Sequence, residues 1–228
     1  DVYKRQELER VMITKLPEHR RMLIEISKSD IGLRHSSLTD YLDKVVGYDA
    51  NMLREIDVLI SRFHLGAVKK SINNHLGTVL PRIDQAGRIV GGNVMYFDSN
   101  TGVILKLEPI TSQLYQWYCF DYFINREVFF GEHLLSGKPI AVVMEEKTAL
   151  LGLLAEPSVD WLAVGVDYLL TDKMMNRLSG KRVILFPDGL GYNYWNEHFG
   201  ARFKVDGGFT QRDINEYLID KIKCRGSP

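Results

Sequence analysis

Hydrophobic positions change their period twice along the chain. From Glu7 to about Ser27 the apolar residues Leu8, Val11, Met12, Leu16, Met22, Leu23 and Ile26 recur at helical spacing, with Pro17 dividing two predicted helices. Two short helices follow, Asp40 to Val46 capped by Thr39 and Ala50 to Ser61 capped by Asp49, the second with Leu53, Ile56, Leu59 and Ile60 on one side. Beyond Phe63 the pattern shortens to alternation. Thr78 to Asp84 and Arg88 to Phe97 flank Gln85-Ala-Gly87, and Val103 to Leu107 follows the turn Asp98 to Gly102, which predicts a three-stranded antiparallel meander. Tyr115 to Phe123 is an aromatic run (Tyr115, Trp117, Tyr118, Phe120, Tyr122, Phe123) that reads as a buried seam, with base stacking as the alternative.

The second half alternates strand and helix. Predicted strands Ile140 to Met144, Trp161 to Gly165, Arg182 to Phe186 and Arg202 to Val205 are each followed by a predicted helix: Lys147 to Ala155, Thr171 to Leu178, Tyr192 to Phe199 and Gln211 to Lys223. Thr210 with Asp213 reads as a capping box for the last of these. Four such units predict an α/β domain with a four-stranded parallel sheet and helices on both faces, preceded by a small α+β subdomain carrying the meander. The expected division is a helical preface over 7–62, an antiparallel β subdomain over 63–130 and the α/β domain over 131–224. Asp1 to Gln6 resembles a translated sequencing adapter without an initiator Met and is set aside.

Acidic residues close two of the apolar strands. Glu145 and Glu146 leave the first and Asp188 leaves the third, at the edge where α/β sheets place their sites. Carboxylates converging there suit Mg²⁺ and phosphoryl chemistry. The alternative is that they cap the helices that follow, favoured by the positive end of each helix dipole.

Composition narrows this picture. Lys plus Arg equals Asp plus Glu at 29 each, so no global basic field marks a nucleic-acid binder, although a local patch is compatible with a zero sum. The only cysteines, Cys119 and Cys224, form neither a CxxC nor a zinc pattern, which fits a reducing cytoplasm, and zinc is not expected. No run approaches the length of a membrane span and no signal peptide opens the chain, so no membrane is implied. Gly-x-Ser-x-Gly, Walker and Rossmann glycine motifs are absent, and Gly189-Leu-Gly191 is a weak anion-binding signal.

Several stretches resemble a known family. Val142 to Ala149 (Val-Val-Met-Glu-Glu-Lys-Thr-Ala) is similar to the Val-Glu-x-Glu-Lys-Thr-Ala segment of Toprim domains. Trp161 to Gly165 resembles their second strand and Leu185 to Asp188 their Asp-bearing third. Toprim is the nucleotidyl-transfer and hydrolysis fold of bacterial primases, topoisomerases and related nucleases. Ile83 to Asn93 resembles the Asp-x-x-Gly-Arg-x-x-Gly segment that precedes Toprim in bacterial primases. Tyr96 to Gly102 and Phe130 to Leu135 (Phe-Gly-Glu-His-Leu-Leu) further resemble an uncharacterised Toprim-like family of bacterial mobile elements and gut commensals. Members of that family usually carry an amino-terminal zinc ribbon, and nothing here matches it. The resemblance implies DNA replication or mobilisation of a mobile element, with single-stranded DNA, nucleotides, Mg²⁺ and a helicase or other replication protein as partners.

The chain departs from the Toprim pattern at two positions. Where the family places its proton-transferring Glu stands Met144, and where it places the second Asp of its metal pair stands Leu190. A thioether cannot exchange a proton at neutral pH, and a leucine cannot ligate a cation. The candidate site is therefore Glu146, Glu145 and Lys147 for chemistry and Asp188 with Glu146 for metal, with catalysis weakened or lost. Glu145 could substitute for the missing Glu, but it stands one residue beyond Met144 and is expected to face away unless a bulge re-aims it. Arg82, Arg88, Lys69 and Lys70 form a candidate nucleic-acid strip on the meander, and Gly165 joins the candidate nucleotide-binding residues. His133 is either a proton donor or a satisfied structural histidine. A noncatalytic module that keeps the fold to hold DNA or a partner is the competing function.

Overall fold

The computed structural model describes residues 24–26, 33–112, 127–165 and 169–226. Two sheets divide it. The first runs β1 (Ile24–Ile26), β5 (Ile104–Ser112), β4 (Ile89–Phe97), β3 (His75–Ile83), β2 (Gly66–Ile72), with β1 parallel to β5 and all other pairs antiparallel. The second is wholly parallel in the order β7 (Asp160–Ala163), β6 (Ile140–Val143), β8 (Val183–Phe186), β9 (Lys204–Val205). The four-stranded parallel sheet and the antiparallel region ahead of it are as expected.

The antiparallel region is larger than the alternation predicts. The additional strand β2 is an edge whose Lys69 and Lys70 are exposed and sit at a register shift between Val68 and Ser71. Lysines and a bulge on an edge discourage pairing with other chains, and the same polarity hides the strand from a search for apolar alternation. Ile24–Ile26, expected to end a helix, instead pairs with Ile110–Ser112. The rest of the predicted first helices and the aromatic run 115–123 lie outside the described residues.

Helices α1 (Ser37–Val46) and α2 (Ala50–Arg62) sit between the two sheets. Asp49 caps α2 as expected, accepting from the backbone N–H of Asn51 and Met52. α1 begins earlier than expected: Ser36 is the cap and Thr39 its reciprocal partner three residues on. Buried hydroxyls then tie this end to the antiparallel sheet, since the backbone N–H of Leu38 donates to Thr78 Oγ1 and that of Phe97 to Ser37 Oγ, both at 3.0 Å. Leu38, Leu42, Ile56 and Ile60 share one core with Leu80, Met95 and Phe97 of the antiparallel sheet.

Strand alternation decides which helices cover which face of the parallel sheet. Ala141, Val143, Trp161 and Ala163 join that same core, covered by α3 (Glu146–Ala155) and α6 (Ile214–Arg225). Ile140, Val142, Leu162 and Leu185 face a second core built on α4 (Asp172–Asn176) and α5 (Tyr192–Phe199), with Met174, Met175, Trp195 and Phe199 buried there. Side chains on successive strand residues point to opposite faces, so a continuous apolar strand feeds both cores. The cap of α6 is Asp213, not the expected Thr210, whose hydroxyl instead donates to the Gly207 carbonyl at 2.9 Å.

Candidate functional site

The parallel register aligns Val143 of β6 with Phe186 of β8, so the residues that follow these strands emerge side by side at one sheet edge. After Phe186 comes buried Pro187, then Asp188, whose Oδ1 accepts from the Gly191 N–H at 2.6 Å and so shapes the turn into α5. After Val143 come Met144 and Glu145. Glu145 is the cap residue of α3, but its carboxylate makes no capping bond and remains about one-third exposed.

A cavity of about 670 Å³ opens at this edge, and Met144, Glu145, Lys147 and Asp188 all line it. Arg212 and Asp213, ahead of α6, supply a further wall. Asp213 uses one oxygen to cap α6, and Thr148 reaches Asn215 Oδ1 at 2.8 Å, which fixes α6 against α3. The antiparallel sheet closes the rim with Val103 and Ile104. Lys147 makes that junction: its Nζ donates to the Gly102 carbonyl at 2.8 Å and lies 3.8 Å from Glu145 Oε2. Gly102 has φ +71, and a Cβ there would stand 2.5 Å from the Tyr41 ring. Only glycine fits that approach.

Glu146, expected to share a pocket with Asp188, does not. It is 1% exposed and turns inward, where Oε1 meets Arg82 Nη2 at 3.3 Å. The backbone is already helical at Glu146, so adjacent carboxylates diverge, and the inward one finds a partner that the antiparallel sheet supplies. Arg82 is correspondingly removed from the expected strip. It is 1% exposed and also donates to the backbone carbonyls of Val128 and Val164. Glu145 takes the place expected for Glu146, with no bulge required, because the strand ends at Val143 and a helix cap follows.

The other candidates of the meander are placed by local structure. In Asp84-Gln-Ala-Gly-Arg88, Asp84 Oδ1 accepts from the backbone N–H of Ala86 and Arg88, while Arg88 Nε donates to Asp84 Oδ2 at 2.8 Å. Burial pushes the Asp84 carboxyl up, but these bonds and the guanidinium charge outweigh it and hold its pKa below the usual value. The motif is thus a self-satisfied turn between β3 and β4, with the Arg88 side chain largely exposed. Lys70 reaches Glu108 at 2.9 Å, and Lys69 is exposed on the edge strand. Arg82, Arg88, Lys69 and Lys70 therefore do not form one strip. Gly165 is buried at the end of the sheet, its N–H donating to the Met144 carbonyl at 2.7 Å.

The Phe130 to Leu135 stretch is architectural. Glu132, 3% exposed, accepts from Arg177 Nε at 2.7 Å, Arg177 Nη2 at 2.8 Å, Gln85 Nε2 at 3.2 Å and the Phe129 N–H at 3.0 Å. His133 bonds the Arg62 carbonyl through Nε2 at 2.9 Å, and burial pushes its pKa down. It lies away from the cavity and closes α2 through Nε2, while its Nδ1 is buried without a hydrogen-bond partner. Sequence reading missed Arg177, Arg212 and Asp213; only Asp213 left a signal, as the acid preceding an apolar helical run.

A family profile described as a domain of unknown function, DUF6371, matches residues 36–189. The chain belongs to that family. The DUF6371 segment runs from the cap of α1 to the residue after Asp188, so it includes Glu145, Glu146 and Asp188 and stops short of Asp213. No curated protein matches the chain. Among solved structures it is similar to the primase fragment of the bacteriophage T7 primase-helicase protein (20% identity, TM-score 0.46), covering 71% of this chain and 64% of that one. It is also similar to the RNA polymerase domain of Mycobacterium tuberculosis primase DnaG in complex with a double-stranded DNA oligomer (14% identity, TM-score 0.49), covering 86% and 73%. The Aquifex aeolicus primase, with its zinc-binding and RNA polymerase domains, gives 17% identity and a TM-score of 0.48 over 84% and 60%. At these identities and scores the likeness carries no statement about chemistry.

Among the described residues no three His, Cys, Asp or Glu side chains cluster closely enough to hold a metal ion by themselves. Two carboxylates in one cavity, Glu145 and Asp188, fit a Mg²⁺ ion that also takes phosphate oxygens, because Mg²⁺ is commonly held by one or two carboxylates plus substrate phosphates. No helix among the described residues is long and apolar enough to cross a membrane.

Proposed function

We propose that this is a primase-like Toprim protein acting on nucleic acid in replication or in mobilisation of a mobile element, and that its strand-end cavity binds a phosphate-bearing ligand. The ligand is a nucleotide or an end of single-stranded DNA. The observation that carries this reading is the placing of Glu145 and Asp188, which leave neighbouring parallel strands and line one cavity. Mg²⁺ arriving with the ligand would be held by these two carboxylates and would neutralise phosphate charge. Lys147 and Arg212 line the same walls and offer donors to phosphate oxygens.

A second reading rests on Met144. Its half-buried side chain lines the cavity where the Toprim pattern places a proton-transferring Glu, and Leu190 is 69% exposed where that pattern has a metal-binding Asp. These residues can bind and orient a ligand, but Met144 cannot move a proton for it. Binding without turnover, with a helicase or other replication protein as partner, is the function this favours.

Thermal melting separates the readings. Millimolar Mg²⁺ alone is expected to leave Tm unchanged, and Mg²⁺ with a nucleoside triphosphate to raise it. Asp188→Asn and Glu145→Gln are expected to abolish the rise. A rise that persists in both variants would refute the cavity as the binding site. Primer-synthesis and nicking assays that stay silent while single-stranded DNA binds support the noncatalytic reading, and turnover in either assay overturns it.

A further inference from the structure

We propose that the acidic cavity has a second compartment that receives the planar base of a nucleotide, so that the site recognises a whole nucleotide and not phosphate alone. The inference rests on the phosphate-binding reading for one half of the ligand and on independent geometry for the other. A second cavity of about 360 Å³ lies between α6 and the face of the parallel sheet, and Phe186, Phe209 and Ile214 line both cavities. The two are therefore contiguous, and both fall in the size range of small-ligand sites.

Their linings contrast. The second compartment is walled by Trp161, Phe186, Phe209 and Tyr217, with Ile184 on the sheet face and Lys221 also lining it. Trp161 and Phe186 lie nearly parallel at 22°, with centroids 6.2 Å apart. Phe209 stands edge-on to Phe186 at 5.9 Å and lies 5.4 Å from Tyr217. Trp161 is 7% exposed and its N–H already donates to the Glu156 carbonyl at 3.3 Å, so it backs the compartment, while the half-buried Phe209 and Tyr217 supply the accessible ring surface. Lys221 Nζ lies 5.7 Å from the Tyr217 centroid and supplies a donor suited to ring nitrogens or carbonyls. A ligand that fills both compartments must be planar and aromatic at one end and bind carboxylate-held cation or basic side chains at the other. A nucleotide has that division, and base stacking on aromatic side chains is tolerant of base identity.

The test is calorimetric titration of the full chain in Mg²⁺ with ATP, inorganic triphosphate and adenosine. ATP is expected to bind roughly ten- to a hundredfold more tightly than triphosphate, the range that stacking on aromatic side chains supplies. Tyr217→Ala, and Ile184→Phe, which fills the compartment, both at residues that line the second cavity and not the first, are expected to erase that preference while leaving triphosphate affinity unchanged. The comparison of ligands on the unaltered protein needs no variant to fold. Equal affinity for ATP and triphosphate overturns the base compartment and leaves the acidic site standing. Adenosine binding that Ile184→Phe removes, with triphosphate silent, supports the compartment and removes the phosphate reading. Absence of binding by all three ligands overturns both.

Discussion

Glu145 and Glu146 are adjacent in sequence and belong to different parts of the molecule. Glu146 lies in the seam between the two sheets, 1% exposed against an equally buried Arg82, while Glu145 opens on the cavity beside Asp188. The seam repeats the device with Glu132, held by Arg177 and by backbone N–H. These four charges, Glu146, Arg82, Glu132 and Arg177, are each engaged by an opposite charge, and Arg82 and Glu132 also by backbone groups, so they are committed to architecture. In the cavity the acids keep oxygens in contact with solvent and are available to a ligand. Desolvation explains the division: a buried carboxylate is tolerable only with partners, and a carboxylate so occupied cannot also serve a substrate.

The sharpest way to break this contrast is to remove one member of the buried pair. Arg82→Ala is expected to cost about 3–5 kcal/mol in chemical denaturation, because it strands Glu146 in the core. Combining it with Glu146→Leu is expected to recover much of that loss. If Arg82→Ala unfolds no more easily than the parent protein, the seam is not held by this pair. Arg177→Ala, at a site nearer solvent, is expected to cost about 2 kcal/mol in the same measurement through loss of charged hydrogen bonds to Glu132.

A smaller effect tests His133. Its pKa is depressed by burial, so the native state holds the neutral ring and the unfolded chain takes up the proton first as pH falls. Its contribution is complete above the ordinary histidine value of about 6.5 and is lost as pH drops below it. Tm measured from pH 7.5 to 5 is expected to decline through that window, and His133→Gln to flatten the decline. An unchanged profile in the variant would assign the acid sensitivity elsewhere. The smallest stability effect belongs to the cavity: Glu145→Gln is expected to shift unfolding by less than about 0.5 kcal/mol while removing the nucleotide-dependent rise in Tm. A loss comparable to that of Arg82→Ala would erase the distinction between seam and cavity.

The four-stranded parallel sheet was legible because its strands are short apolar runs separated by helical patterns, and burial on both faces demands that composition. Met144 and Leu190 were legible as departures because chemistry rules out thioether and isobutyl groups for proton transfer and cation binding, whatever their surroundings. The turn Asp84 to Arg88 was recognised as a motif, but not that its Asp and Arg satisfy each other. The edge strand with Lys69 and Lys70 escaped notice because an edge hides its alternation behind charge.

Sequence by itself determined which segments are strands of a buried sheet, where acids leave that sheet and which residues cannot carry the chemistry that the Toprim resemblance implies. Each of these follows from local periodicity or from the identity of a side chain. Which glutamate faces the cavity was decided only in three dimensions. The choice depends on where β6 gives way to α3 and on Arg82 arriving from a strand 64 positions away in the chain, a contact that no spacing encodes.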